Sequence, residues 1–231
     1  MKPNHHPDDE QLVDYAAGSL ETEFSLLIAT HLTFCPACRY RVALLETVGG
    51  ALLNDLEPAE LAGDSRAVVM AKLQHRQPAE KSDSANLPAS IDLRGLGTLC
   101  GLLPRPLLAY VSDYAASAKR PLAWRTVMKG LETIDLSSRH GRMRTRLMRI
   151  KPGVAMPRHT HKGLEMVCVL EGEYTDNRGH YAQGDISIAD RRLDHRPMAS
   201  MDGDCLCVAV TDAPLMLTGP IGRWFNPFIR S

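Results

Sequence analysis

The chain has 231 residues, 44 % of them hydrophobic and 23 % charged, with 27 Lys+Arg balanced by 27 Asp+Glu. That composition excludes a disordered or membrane-embedded protein, and the length can bury one large core or two small ones. The zero net charge hides an uneven distribution, because residues 1–80 hold 6 basic and 12 acidic side chains and the basic excess lies beyond them. An acidic first third argues against nucleic acid as a direct partner and suits docking on a basic protein. The polar start has no apolar run and no stretch reaches the roughly 18 apolar residues of a membrane span, so a cytoplasmic protein without membrane attachment is expected. In that compartment the six cysteines are expected to be reduced, buried or metal-bound rather than paired.

Helical period governs the first third. Leu12, Tyr15, Ala16 and Leu20 share one face; Phe24, Leu27, Ile28 and His31 share another, with Ser19 placed to cap that helix. A third helix after Pro36 carries Tyr40, Leu44, Leu45, Val48 and Leu52. Asp64 or Ser65 can cap a short fourth one with Val68, Val69 and Leu73. Three helices in so short a span make a marginal core that needs a staple. The polar, proline-bracketed stretch 77–90 reads as a linker. The expected organisation is therefore a helical domain over 1–76, a linker over 77–90 and a second domain over 91–231.

Within the second domain, residues 91–120 are apolar with scattered Gly and Pro and resist assignment. From Leu122 onward short runs alternate with turns, as in Met143–Ile150, Met166–Leu170, Ile186–Ile188 and Leu206–Val210, which suggests a sandwich or small barrel. Arg142, Arg144 and Arg146 are expected on a solvated strand face, with Met143, Thr145 and Leu147 inward. Cys168, Cys205 and Cys207 read as small core residues. Trp224–Phe228 would anchor the last segment.

Two constellations carry chemistry. In the first, His31-x3-Cys35-x2-Cys38 places an imidazole and two sulfurs at positions i, i+4 and i+7. Pro36 has no N–H and disfavours the α region at Cys35, so one helix should end near Phe34 and the next begin at Pro36. Such a break aims both thiolates at one ion. Zinc takes four N/S ligands in a tetrahedron, and the fourth here would be His5 or His6. The bland alternative is two small buried thiols beside a core histidine, which leaves the bundle without its staple.

His6, a gap of twenty-four residues and then His31-x3-Cys35-x2-Cys38 resembles the zinc-binding anti-sigma domain. The surrounding Leu12–Leu20 and His31–Arg39 are similar to its ChrR subgroup, over about residues 1–76. The resemblance implies His6 rather than His5 as the fourth ligand. It also implies a three-helix zinc domain plus a detached fourth helix that clamp an ECF-type sigma factor away from RNA polymerase core. On that view Leu27, Ile28, Val68, Val69 and Leu73 would face the partner; the alternative is that they pack internally.

The second constellation, Gly153-x5-His159-x-His161-x3-Glu165-x6-Gly172, fits the first cupin motif at every fixed position. His159 and His161, two apart on a strand, point the same way, and Glu165 can reach the same ion after a short excursion. His195 is the candidate fourth ligand. Tyr181–Asp185 looks like the turn of the second cupin motif, although Gln183 replaces the usual proline and no asparagine follows His195 four residues on. Three imidazoles and a carboxylate suit a divalent metal, with Zn2+ foremost and Mn2+, Fe2+ or Ni2+ as alternatives.

Together the two modules resemble the ChrR arrangement. The expected fold is α+β and multidomain: a zinc-stapled three-helix bundle with a detached fourth helix, then a cupin β-sandwich of jelly-roll type. The resemblance implies a negative regulator of transcription, not an enzyme, that releases its sigma factor on singlet oxygen or organic peroxide sensed through the cupin part. A homodimer through the cupin is left open. The rival reading is a metal-dependent, dioxygenase-like cupin enzyme with an N-terminal zinc docking module.

Overall fold

The computed structural model describes residues 2–74, 94–118, 122–138 and 141–219. The expected linker at 77–90 and the anchor at Trp224–Phe228 lie outside these residues. Helix α1 spans Asp9–Ala17; Asp8 and Gln11 cap it reciprocally, and Gly18 ends it at φ 71°, where only glycine is unstrained. Helices α2 (Thr22–Phe34) and α3 (Pro36–Asn54) are separated by the single extended residue Cys35, with Pro36 at the first helical position as its geometry favours. Helix α4 spans Ser65–Gln74 and buries nothing. The segment that resisted assignment holds a 3-10 turn over Arg94–Gly101 and helix α5 over Arg105–Ala118. The cap expected at Ser19 is absent: its hydroxyl bonds Asp14, and α2 starts after Glu21.

Among the described residues eleven strands follow: β1 (Arg125–Met128), β2 (Leu131–Asp135), β3 (Arg144–Ile150), β4 (His159–His161), β5 (Glu165–Glu171), β6 (Glu173–Thr175), β7 (His180–Ala182), β8 (Ile186–Ala189), β9 (Met198–Ala199), β10 (Cys205–Thr211) and β11 (Leu215–Leu217). A six-stranded antiparallel sheet in the order β1-β2-β3-β10-β5-β8 faces two small sheets, β11-β4 and β7-β6-β9. This is the expected cupin sandwich.

The large sheet is covered on both faces. One face meets the sandwich interior through Ile150, Val169 and Cys205, with Tyr174 and Tyr181 from the opposite sheet. The other packs Leu147, Met166, Cys168, Val208 and Val210 into one core with Leu27 and Ile28 of α2 and Leu107 and Val111 of α5. Double coverage explains why β5 and β10 read as continuous apolar runs rather than alternating ones. It also corrects one expectation. Leu27 and Ile28 are fully buried against the sheet and α5 and cannot face a partner. Leu27→Ala should lower the unfolding free energy by about 2–5 kcal/mol, measurable by urea titration. A partner-facing residue would leave that energy almost unchanged.

A second correction concerns the arginines of β3. Thr145 and Leu147 do point into the helix-facing core, but Arg144 and Arg146 are half-buried on the opposite face, shared with Met148, which packs into the sandwich interior. Arg142, outside the strand, is exposed.

Candidate metal centres

At the first centre, the C-terminus of α2 presents His31, the inter-helix joint presents Cys35 and the first turn of α3 presents Cys38. The extended Cys35 backbone (φ −109°, ψ 99°) turns both thiols to the same side. His6 arrives from the extended N-terminal segment. Its Nδ1 lies 3.5 Å from His31 Nε2, 3.5 Å from Cys35 Sγ and 3.4 Å from Cys38 Sγ. A tetrahedron built on zinc bond lengths has N···N and N···S edges of about 3.3–3.6 Å. The three edges that meet at His6 have that spacing, and all four donor atoms lie within 4.8 Å of one another.

Burial and the neighbouring Cys35 push the Cys38 thiol up to about 12. Two adjacent buried sulfurs cannot both ionise without a cation between them, so the donor set fits a dication. The amino end of α3 adds positive potential beside the sulfurs. His31 Nδ1 lies 2.6 Å from the Gly184 carbonyl oxygen. Since a carbonyl only accepts, the proton sits on Nδ1 and the Nε2 lone pair faces the cluster. His5 takes a different place: its ring packs on Tyr181, with centroids 4.4 Å apart.

At the second centre, β4 supplies His159 and His161, and Glu165 opens β5. His195 is set beside His159 by a reciprocal pair of main-chain hydrogen bonds, at 3.0 and 2.9 Å. The three Nε2 atoms converge, with His195 3.2 Å from His161 and 3.1 Å from His159, and His161 Nε2 is 3.5 Å from Glu165 Oε2. Burial, with the neighbouring imidazoles adding to it, lowers His159 to about 4 and His161 to about 3. These rings are neutral at physiological pH, with lone pairs available. Burial raises Glu165 to about 7 against the pull of His195 and Arg146. Both features are what a cation among these donors would reverse or exploit.

Outer contacts orient these ligands. His159 Nδ1 bonds the Pro157 carbonyl at 2.8 Å and His195 Nδ1 bonds Asp176 Oδ2 at 2.8 Å. Burial pushes the Asp176 carboxyl up, but bonds from His195 and from the Arg178 and Gly179 amides outweigh it and hold the group below its usual range. The sequence reading missed Asp176; the Asp176-Asn177-Arg178-Gly179 turn signal before β7 was there to find it. The cluster opens onto a cavity of about 30 Å³ lined by Met148, Ile150, Met156, Tyr174 and Cys207, room for one or two waters.

A helical His2Cys2 module packed in one core with a cupin sandwich that carries a His3Glu cluster defines a two-centre cupin protein. Residues 114–214 match the family model described as the ChrR cupin-like domain. The anti-sigma-E factor ChrR of Cereibacter sphaeroides is 37 % identical over 234 residues, covering all of both chains. The crystal structure of Rhodobacter sphaeroides SigE in complex with the anti-sigma ChrR matches with 36 % identity and a TM-score of 0.70, over 91 % of this chain and 100 % of that one. The chain belongs to the ChrR family of anti-sigma factors, which are regulators rather than enzymes. Among the described residues no helix is long and apolar enough to cross a membrane.

Proposed function

We propose that this protein sequesters an ECF-type sigma factor in the cytoplasm and releases it on an oxidative signal received by the cupin part. The relative of known structure was crystallised with its sigma factor, and this chain leaves apolar surface uncovered. The observation that carries the reading is the apolar row left uncovered on α3 and α4. Tyr40, Leu44, Val48 and Leu52 are exposed on α3, and Val68, Val69, Met70 and Leu73 on α4. An apolar stretch of that extent, on a helix α4 that buries nothing and on the outer side of α3, marks a protein-binding surface. Coexpression with the sigma factors of the source organism is the test, and failure of every one to copurify with metal-replete protein would remove the reading.

In this proposal His6, His31, Cys35 and Cys38 hold a structural Zn2+, and His159, His161, Glu165 and His195 hold a second divalent ion. The cupin ion is again Zn2+ by preference, since all eight donors belong to a regulator. Residues 1–76, 77–90 and 91–231 are taken as helical module, linker and cupin domain. The rival enzyme reading is not favoured, since the relative that matches over the whole chain is an anti-sigma factor.

Ion entry at the cupin centre carries a pH signature. His159 and His161 are neutral near pH 7, whereas Glu165 gives up its proton only at about 7. Glu165 is therefore a source of the proton displaced by the ion. Affinity should fall about tenfold per pH unit below about pH 7 and level off above it, as one-proton linkage requires. Glu165→Gln should flatten that slope. Titration calorimetry in buffers of different ionisation heat counts the proton directly.

A further inference from the structure

We infer that the two centres are coupled through residues 176–185, with Asp176 and Asp185 as positioning residues, so that occupancy of the cupin cluster sets how firmly the His/Cys cluster holds its ion. The inference rests on the reading of both clusters as metal sites, and on nothing about the sigma factor. Asp176 stands at one end of the segment. Its Oδ2 meets the ring of cupin-cluster His195 at 2.8 Å, and its Oδ1 accepts from the Arg178 amide at 2.8 Å and the Gly179 amide at 3.2 Å. One carboxylate thus joins a cupin ligand to the turn that begins β7. Along β7, Tyr181 stacks on Tyr174 on one side and packs on His5 on the other.

Gly184 and Asp185 stand at the other end. Asp185 is 1 % exposed, and a carboxylate that deep persists only when donors surround it. They do: Oδ2 accepts from the Ala182 amide at 2.8 Å, and Oδ1 accepts from the Asn4 amide at 2.6 Å and the His5 amide at 2.9 Å. The Ile186 amide returns a bond to the His5 carbonyl at 3.2 Å. The next residue along the chain is His6. Gly184, one residue earlier in the turn, accepts the Nδ1 proton of His31. Its φ is +88°, and a Cβ there would lie 2.7 Å from Phe34 Cβ and 2.9 Å from Pro3 Cγ. The turn is wedged between α2 and the N-terminal segment with no slack.

His31 is therefore held directly, and His6 through the backbone of its neighbour His5, by the turn at one end of a segment whose far end holds a donor of the other cluster. Outer partners of this kind change metal affinity by 10–100-fold. Linkage makes the effect reciprocal: whatever factor the cupin ion adds to the hold on the first ion is returned in the other direction.

The test uses full-length protein loaded with Co2+. Thiolate-bound Co2+ shows a sulfur-to-metal charge-transfer band that the N/O cupin site lacks, so loss to EDTA from the two sites is read separately. Asp185→Ala should speed decay of the thiolate band 10–100-fold, with Asp185→Asn intermediate, because its amide oxygen can still accept from Asn4 and His5. Asp176→Asn, far along the segment, should speed it several-fold. Filling the cupin site of the unaltered protein from substoichiometric to saturating should slow it; this arm needs no variant and is immune to misfolding. Equal decay rates with the cupin site empty or filled, or an unchanged rate in Asp176→Asn, would overturn the coupling. Neither result touches the anti-sigma reading, which fails only if the unaltered protein retains no sigma factor.

Discussion

Protein stripped of the His/Cys ion, or carrying Cys38→Ser, should lose its grip on the sigma factor by at least about 100-fold, equivalent to about 2.7 kcal/mol. The expected structural change is uneven. Helices α1 and α3 pack chiefly on each other and are joined by the Arg41–Asp9 ion pair, which is exposed and contributes little. Beyond the packing of Leu12 and Val42 into the core that α2 enters, the cluster fastens that pair to α2, since His6 precedes α1, Cys38 lies in α3 and His31 in α2. Structural zinc in small modules contributes about 10–16 kcal/mol of apparent free energy, much more than the few apolar contacts left. Helix α2, in contrast, is held by the large sheet and α5. Hydrogen exchange after chelation should rise across residues 6–17 and 36–54 while residues 24–31 stay protected. Uniform protection after complete metal removal would show that the ion does not fasten the module.

Val69→Asp combined with Leu73→Asp should abolish sigma retention while leaving the fold untouched. Both side chains are more than half exposed on a helix that buries nothing, so the melting temperature should hardly move, surface changes being worth within about 0.5 kcal/mol. A charge placed in a desolvated docking site costs binding about 2–4 kcal/mol per hot-spot residue, enough to empty a pull-down. The control is the same exchange at Val127, an exposed apolar residue of β1 far from the row in sequence; it should leave retention intact. Retention by the α4 double variant would move the docking surface elsewhere.

Much of this protein is legible in local spacing. The interruption at Pro36 follows from its missing N–H, and the structure puts α2 and α3 on either side of Cys35. The cupin order of Gly153, His159, His161, Glu165 and Gly172 states its turns and donors by distance along the chain, and those donors converge. In both cases the atoms that must meet are bound by short-range geometry: a helix turn, a strand alternation, a tight loop. The choice between His5 and His6 was different in kind. It depended on which of two adjacent residues a carboxylate 180 positions away would hold, and no periodicity reports that.

The errors share one cause. Leu27 and Ile28 form the apolar face of an amphipathic helix, which reads the same whether it meets a partner protein or the chain's own sheet. The alternating arginines of β3 read as solvated because a two-residue period names two faces without saying that both are covered. Helix α5 escaped notice although Leu107, Val111 and Tyr114 keep a helical period, because the glycines and prolines just before it read as turns.

Sequence alone thus determined what chemistry the chain carries: two donor sets, a helix break, a strand-rich second half and a kinship. Tertiary structure decided how those parts meet. It stacked α2 on the cupin sheet and set Asp185 beneath the N-terminal segment, and it left an apolar row on α3 and α4 uncovered. The physical reason is that donor spacing is a local property of the backbone, whereas burial depends on which apolar faces find one another across a hundred residues or more.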